Sequence, residues 1–442
     1  VTAGSPWPRR WTAGQWLAWA AIVTVGFGLR SADLASVPAH NETADEYAWT
    51  WSGMTLLGEG RPIGWSWLSA YGRPTFIRWR DHDYPMVKPW VDHPPLFSVV
   101  MGAWMHGTGY HQILEVDLAH MRRAPLLLFL AQIGVFTVVL RHLVAPGSAL
   151  VALALFATAP PAAILHRLVV SEALWVPSAL GLWAFMLAWR RSPTRPRLIG
   201  VAATAALLPL TKVAALAFAA FCLAIAVRRR QAALVKAIVA GTAVGLAAYA
   251  AYGLAVSGGL FLDVLAAQAG RFHGFAGFAL VLFSPRAVGT VGPYVPFLLG
   301  AAWCLALAAR RRGPEWALAV PVYAAAVAVL ANQDEIYAWY CLPLYPFYCL
   351  ALADLFRRAR AAGNPRAAWI LALVATLELF SVVVDRGLLA PAGPARLAYV
   401  VAITAATLVL LLGPRARRLA PPAAATAVVT LCAAGILEIL AR

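Results

Sequence analysis

Three short clusters in this sequence bring carboxylates, imidazoles and cations together at spacings that could move a proton or hold an anion. The first is Asp45-Glu46-Tyr47. Thr43 is expected to cap a helix beginning near Asp45, where the free amides of the first turn favour a carboxylate. A carboxylate fixed there can serve as a general base, although the pattern alone leaves an ordinary first-turn role open. The second cluster runs from Asp81-His82-Asp83 to Lys88-Pro89-Trp90-Val91-Asp92-His93-Pro94-Pro95. Its prolines impose an extended backbone ahead of a short apolar helix and aim Asp92 and His93 along its start. Asp81 and Asp83 are spaced like oxygen ligands of a divalent cation and are weak metal candidates, since solvated loop acids look the same. The third is Ser171-Glu172, with Arg167 as the expected ion-pair partner of Glu172. Lys212 and Glu378 stand inside apolar stretches, where an ionisable group is a functional suspect by default. Arg271 and His273, in a later loop, have the sign to meet a phosphate.

The elements that must position these groups follow from composition. Of 442 residues, 62% are hydrophobic and 12% charged, and the mean hydropathy is +0.71. Soluble domains carry about 25% charged residues, so soluble, disordered and disulfide-rich classes are excluded. At roughly 20 apolar residues per span, the stretches 13–29, 124–141, 148–165, 172–189, 234–256, 290–309, 315–332, 338–356, 367–384, 397–413 and 421–440, with 197–227 as a helical hairpin, add up to about thirteen transmembrane helices. The fold expected is an all-α polytopic membrane domain over 1–442, with the first span retained. The formal charge of +17 is spread over short arginine clusters between apolar stretches, which is the positive-inside pattern and not a nucleic-acid face. Arg190-Arg191, Arg228-Arg229-Arg230, Arg310-Arg311-Arg312 and Arg357-Arg358 all fall inside only if 95–105 does not cross and forms an interfacial helix.

The loop 30–121 then lies outside and carries most of the chain's acids, with 257–289 as a second sizeable outside loop. Within the first loop, Tyr47, Trp51 and Met54 share one helical face that is expected to rest on the bilayer, and Gly58-Glu59-Gly60-Arg61-Pro62 ends that helix. Most of the loop's tryptophans fit a membrane-interface belt. The five cysteines lie in apolar stretches without ligand-like spacing.

In order along the chain, Asp45-Glu46-Tyr47, Lys88-Pro89-Trp90-Val91-Asp92-His93-Pro94-Pro95-Leu96, Ser171-Glu172, Leu210-Thr211-Lys212 and Tyr340-Cys341-Leu342-Pro343-Leu344-Tyr345-Pro346 resemble motifs of the GT-C glycosyltransferases of the protein O-mannosyltransferase and aminoarabinose-transferase type. The resemblance implies an inverting transfer of a hexosyl or pentosyl group from a polyprenyl-phosphate carrier to a hydroxyl of a glycan, lipid or protein. The implied location is the outer side of the cytoplasmic (inner) membrane. It makes Asp45 the base, with Glu46 next in line, and Glu172 a second acid that orients acceptor or sugar. Lys88, Asp92, His93, Arg271 and Tyr345 would contact substrate or its phosphate. His93 stands where relatives often carry lysine, so Lys88 or Arg271 is expected to supply permanent charge. No cofactor is required by this reading, and a divalent metal is left open. The alternative is a transporter or flippase of lipid-linked sugars. A transporter would gather polar groups at the membrane midplane on broken helices; here they gather in outside loops.

Overall fold

The computed structural model describes residues 10–40, 43–269, 276–283, 294–330, 336–361, 364–385 and 414–440. Helix α1 (Ala13–Ser31) opens with a capping box between Thr12 and Gln15. The first loop contributes α2 (Asp45–Glu59) and α3 (Leu96–Gly107). Then come α4 (Leu118–Leu143), α5 (Pro146–Thr158), the single-turn α6 (Pro160–Leu165), α7 (Glu172–Arg191), α8 (Arg195–Thr211), α9 (Leu216–Arg228) and α10 (Ala232–Ser257). The chain continues through α11 (Gly259–Ala269), α12 (Ala276–Phe283), α13 (Val295–Ala308), α14 (Ala319–Leu330), α15 (Tyr345–Ala361), α16 (Pro365–Asp385) and α17 (Pro414–Leu440). Among the described residues, four helices are long and apolar enough to cross a membrane: Leu118–Leu143, Glu172–Arg191, Ala232–Ser257 and Arg418–Leu440. Shorter apolar helices, Leu96–Gly107 among them, accompany these four. The expected thirteen spans are therefore matched only in part, and the stretch 397–413 lies outside the described residues.

The first loop is not all-α, which corrects the expectation. It contains a three-stranded antiparallel sheet of β1 (Gly64–Trp65), β2 (Thr75–Trp79) and β3 (His82–Val87), in the order β1-β3-β2. Trp79 pairs with His82, so Arg80 and Asp81 form a two-residue turn, and both have positive φ, 49° and 60°. That is the type I′ geometry whose twist suits a tight hairpin.

Helices α2 and α3 cross backbone to backbone. A Cβ on Gly53 would stand 1.7 Å from the Ser98 carbonyl oxygen, and one on Gly102 would meet Gly53 at 2.3 Å. Gly60, with φ 70°, ends α2 and donates its N–H to the Leu56 carbonyl. The face of α2 carrying Tyr47, Trp51 and Met54 is fully covered by the hairpin, α3 and the start of α4. It therefore packs inside the protein rather than resting on the bilayer.

A guanidinium repairs the α5–α6 junction. Pro160 and Pro161 lack the N–H groups that would reach back to the carbonyls of Phe156 and Ala157. Arg30 of α1, completely buried, donates to those two carbonyls at 3.1 and 2.7 Å and lies 3.9 Å over the Phe129 ring.

The arginine clusters meet at one end of the bundle. Arg190, Arg228 and Arg229 bind Glu315 at 2.9, 3.2 and 2.5 Å. Arg310 and Arg358 both flank the Trp303 ring at 5.5 Å. Arg191 donates to the His142 carbonyl at the end of α4, and Arg141 beside it lies over Trp16 near the start of α1.

Candidate active site

At the other end of α7 is a cleft of about 190 Å³, lined by Asp45, Asp92, His93, Glu172 and Lys212 and walled by tryptophans and tyrosines. With a rise of 1.5 Å per residue, Glu172 and Arg190 on α7 stand on the order of 27 Å apart. The polar cleft and the arginine clusters thus occupy opposite ends of the same helix.

Each carboxylate is presented by a different element. Asp45 is the first residue of α2, and the α2 entrance is pinned by the Trp65 indole N–H, which donates to the Ala44 carbonyl at 3.0 Å. Thr43 does not cap this helix, contrary to expectation. Its hydroxyl turns to the Glu46 carboxylate, and Ala44 is the N-cap with no side-chain hydrogen bond. Asp92 follows the cis Lys88–Pro89 bond and accepts the Tyr71 hydroxyl at 2.5 Å. Burial, with the Asp92 charge and hydrogen bond, pushes the Tyr71 phenol well above its usual range. His93 stacks on Trp49, ring centroids 4.6 Å apart and 15° from parallel, with Trp90 edge-on to both. Gly64 makes room for Trp90, since a Cβ there would lie 2.7 Å from that ring.

Glu172 begins α7 and is buried, hydrogen-bonded to Ser171 and ion-paired with Lys212. Lys212 reaches it because its extended backbone, φ −159° and ψ 135°, separates α8 from the next turn. The ammonium also sits 4.3 Å from the centre of the Tyr340 ring. Arg167, the expected partner of Glu172, instead donates to the carbonyls of Leu29 and Val37, at 2.8 and 3.4 Å.

Several expected site residues are not brought here. Glu46 is fully buried: Arg122 grips both carboxylate oxygens, Nε at 3.0 Å and Nη2 at 2.7 Å, and the Val169 N–H adds 2.9 Å. That carboxylate fastens the first loop to α4 and to the segment before α7. Lys88 is exposed, paired with Glu59 at 3.5 Å, and is not among the residues lining the cleft. Tyr345 is buried against Phe297, centroids 4.4 Å apart, in a separate cavity of about 30 Å³ beside Cys341 and Tyr348. Asp81 is in the exposed hairpin turn, and the exposed Asp83 pairs across strands with Arg78. Among the described residues no group of three or more His, Cys, Asp or Glu is arranged to hold a metal ion. Arg271 and His273 lie outside the described residues. Lys212, Trp339 and Tyr340 also line the cleft; Lys212 carried a sequence signal as an ionisable group in an apolar stretch and Tyr340 as the first residue of the Tyr340–Pro346 motif, whereas nothing in the sequence marked Trp339.

No family model matches the chain, and no curated protein does. Among solved structures it is similar to ArnT from Cupriavidus metallidurans, known bound to undecaprenyl phosphate and in the apo state. For both states the TM-score is 0.58 at 18% identity, covering 97% of this chain and 77% of that one. The chain has the GT-C fold. It is also similar to the arabinosyltransferase EmbB from Mycobacterium smegmatis, with a TM-score of 0.51 at 14% identity over 100% of this chain and 43% of that one. Within this fold the motifs that carried the resemblance converge from α2, the segment before α3, the start of α7, the break after α8 and the segment before α15 onto one cleft.

Proposed function

We propose that this protein is a multi-pass membrane glycosyltransferase. It transfers a sugar, with inversion, from a polyprenyl-phosphate carrier to an acceptor hydroxyl on the extracytoplasmic side of the inner membrane. The observation that carries the reading is the meeting of Asp45, Asp92 and Glu172 with His93 and Lys212 in one aromatic-walled cleft. Its position, opposite the arginine clusters, agrees with an outward-facing site under the positive-inside pattern. ArnT, known bound to undecaprenyl phosphate, and EmbB, an arabinosyltransferase, support the same kind of reaction.

Asp45 takes the proton of the acceptor hydroxyl as its oxygen attacks the anomeric carbon from the face opposite the phosphate. The bond from that carbon to the phosphate oxygen breaks, and polyprenyl phosphate leaves with the electron pair. The first-turn position of Asp45 favours its ionised, proton-accepting form. The Lys212 ammonium and an N–H of the His93 imidazole are the cleft donors that meet the charge growing on the leaving phosphate, with Arg271 a further donor to it. Glu172, held by Lys212, orients the acceptor or the sugar. Tryptophan and tyrosine faces give the sugar ring an apolar platform. The acceptor belongs to the class of glycan, lipid or protein hydroxyls.

Asp45→Asn keeps the shape of the side chain and removes the base. Transfer in proteoliposomes is expected to fall by about 10²–10⁴, with polyprenyl-phosphate binding nearly unchanged. Transfer at the wild-type rate would assign the base elsewhere.

A further inference from the structure

We propose that His106 and His111 form a two-imidazole site for a divalent transition-metal ion of the Zn²⁺ class, at the C-terminal end of α3 and apart from the cleft. Neither residue lines the cleft. His106 lies near the far end of α3 from Leu96, so about 15 Å of helix separates it from the segment that carries Asp92 and His93. The sequence His106-Gly107-Thr108-Gly109-Tyr110-His111 turns the chain back on itself. Gly109 takes φ 94°, the Tyr110 N–H returns to the Met105 carbonyl at 3.0 Å, and the Gly109 N–H returns to the His106 carbonyl at 3.2 Å. This is a Schellman turn. It is braced on α4: the Thr108 hydroxyl gives its proton to the Trp104 carbonyl at 2.7 Å and accepts one from His120 Nε2 at 2.7 Å. The turn lays His111 beside His106, with the rings 25° from parallel and the two Nδ1 atoms 3.2 Å apart.

The neighbours of the pair fix where its protons sit. His106 Nε2 is 3.0 Å from the Met54 carbonyl of α2. A carbonyl only accepts, so Nε2 carries the proton of the neutral ring and Nδ1 holds a lone pair. Metal-ligating histidines are oriented in this way, by donating the other ring N–H to a carbonyl or carboxylate. Two nitrogens bound to one ion at about 2.0–2.1 Å stand roughly 2.9–3.4 Å apart, for bond angles between right-angled and tetrahedral. The Nδ1 separation of 3.2 Å falls in that interval. By itself the pair shares one proton, the Nδ1–H of His111 donating to His106 Nδ1. A divalent ion takes the place of that proton, which moves to Nε2 of the exposed His111 ring. Imidazole nitrogen suits Zn²⁺, Ni²⁺ and Cu²⁺ rather than Mg²⁺ or Ca²⁺. Among the described residues no third His, Cys, Asp or Glu is grouped with the pair, so water completes the coordination. An ion held there rivets the turn after α3 to the end of that helix and, through Met54, to α2.

The test titrates Zn²⁺ into the full-length protein, purified in detergent without a polyhistidine tag and treated with chelator. Wild type is expected to bind a saturable equivalent that His111→Ala binds at least about tenfold more weakly. His82→Ala, which removes the histidine between Asp81 and Asp83, is expected to bind it as wild type does. With Cu²⁺ as the probe, the electron paramagnetic resonance spectrum is expected to show coupling to two imidazole nitrogens in wild type and to one in His111→Ala. His111 is exposed, so its replacement leaves the packing intact, and His106→Gln is expected to lose the same equivalent. Undiminished Zn²⁺ binding by His111→Ala, loss of the equivalent in His82→Ala, or no saturable equivalent in wild type overturns the proposal. None of these measurements uses sugar transfer, so their outcome is independent of the reaction proposed above.

Discussion

Asp45 and Glu46 are neighbours in the chain, and a helix turns about 100° between them. That turn sends one carboxylate to the cleft and the other into the protein, where Arg122 neutralises it. Two acids of the same type therefore do different work. Removing one partner of a buried ion pair leaves an uncompensated charge, at a cost of about 3–5 kcal/mol. Arg122→Ala is accordingly expected to lower the melting temperature in detergent and expose the first loop to protease. An unchanged melting curve would show that Glu46 is not anchored as described. The acidic pair was legible in the sequence, but which member faces the site was not. The deciding partner, Arg122, is 76 residues away, and no local pattern connects them. Lys212 was half-legible for the same reason. Its place in an apolar stretch marked it, yet its meaning depends on Glu172, 40 residues earlier. Tyr345 shows another limit, since a motif resembling a family's later span suggested substrate contact, whereas the structure buries this side chain beside a separate cavity.

Among elements, the crossing of α2 and α3 sets the geometry of the cleft, because these helices hold Asp45 and follow directly on Asp92 and His93. With a Gly53 Cβ meeting the Ser98 carbonyl oxygen at 1.7 Å, the helices cannot keep their distance once a methyl is present. Gly53→Ala is expected to destabilise the protein by about 1–3 kcal/mol and to reduce transfer beyond the loss of folded protein. Normal specific activity would mean that the crossing does not position the site. Helical periodicity found the apolar face of α2 from Tyr47, Trp51 and Met54, but periodicity does not say what covers a face. The hairpin was missed because β2 and β3 carry Arg78, His82, Asp83 and Pro85 among their apolar residues. Its turn, Arg80-Asp81, also lacks the Asn-Gly or Asp-Gly signature that usually announces a type I′ hairpin. The α3 segment was legible as a short apolar helix from its length and its flanking prolines, and it spans Leu96–Gly107.

Across the whole molecule, charge sorts the two ends. The arginine clusters and Glu315 gather at one, and the cleft lies at the other. Four of the five native cysteines are buried and Cys432 is half-buried, so an impermeant thiol reagent meets little background. In intact cells a cysteine at Glu59 is expected to be labelled and one at Arg311 is not; the reverse pattern would invert the topology. The central claim is that the sugar arrives on a lipid carrier, and it is tested most directly by radiolabelled transfer in proteoliposomes holding the purified protein and an acceptor extract. The account predicts that label moves to the acceptor from at least one of a panel of polyprenyl-phosphate sugars and from no soluble nucleotide sugar. Transfer from a nucleotide sugar in vesicles free of polyprenyl phosphate would contradict it.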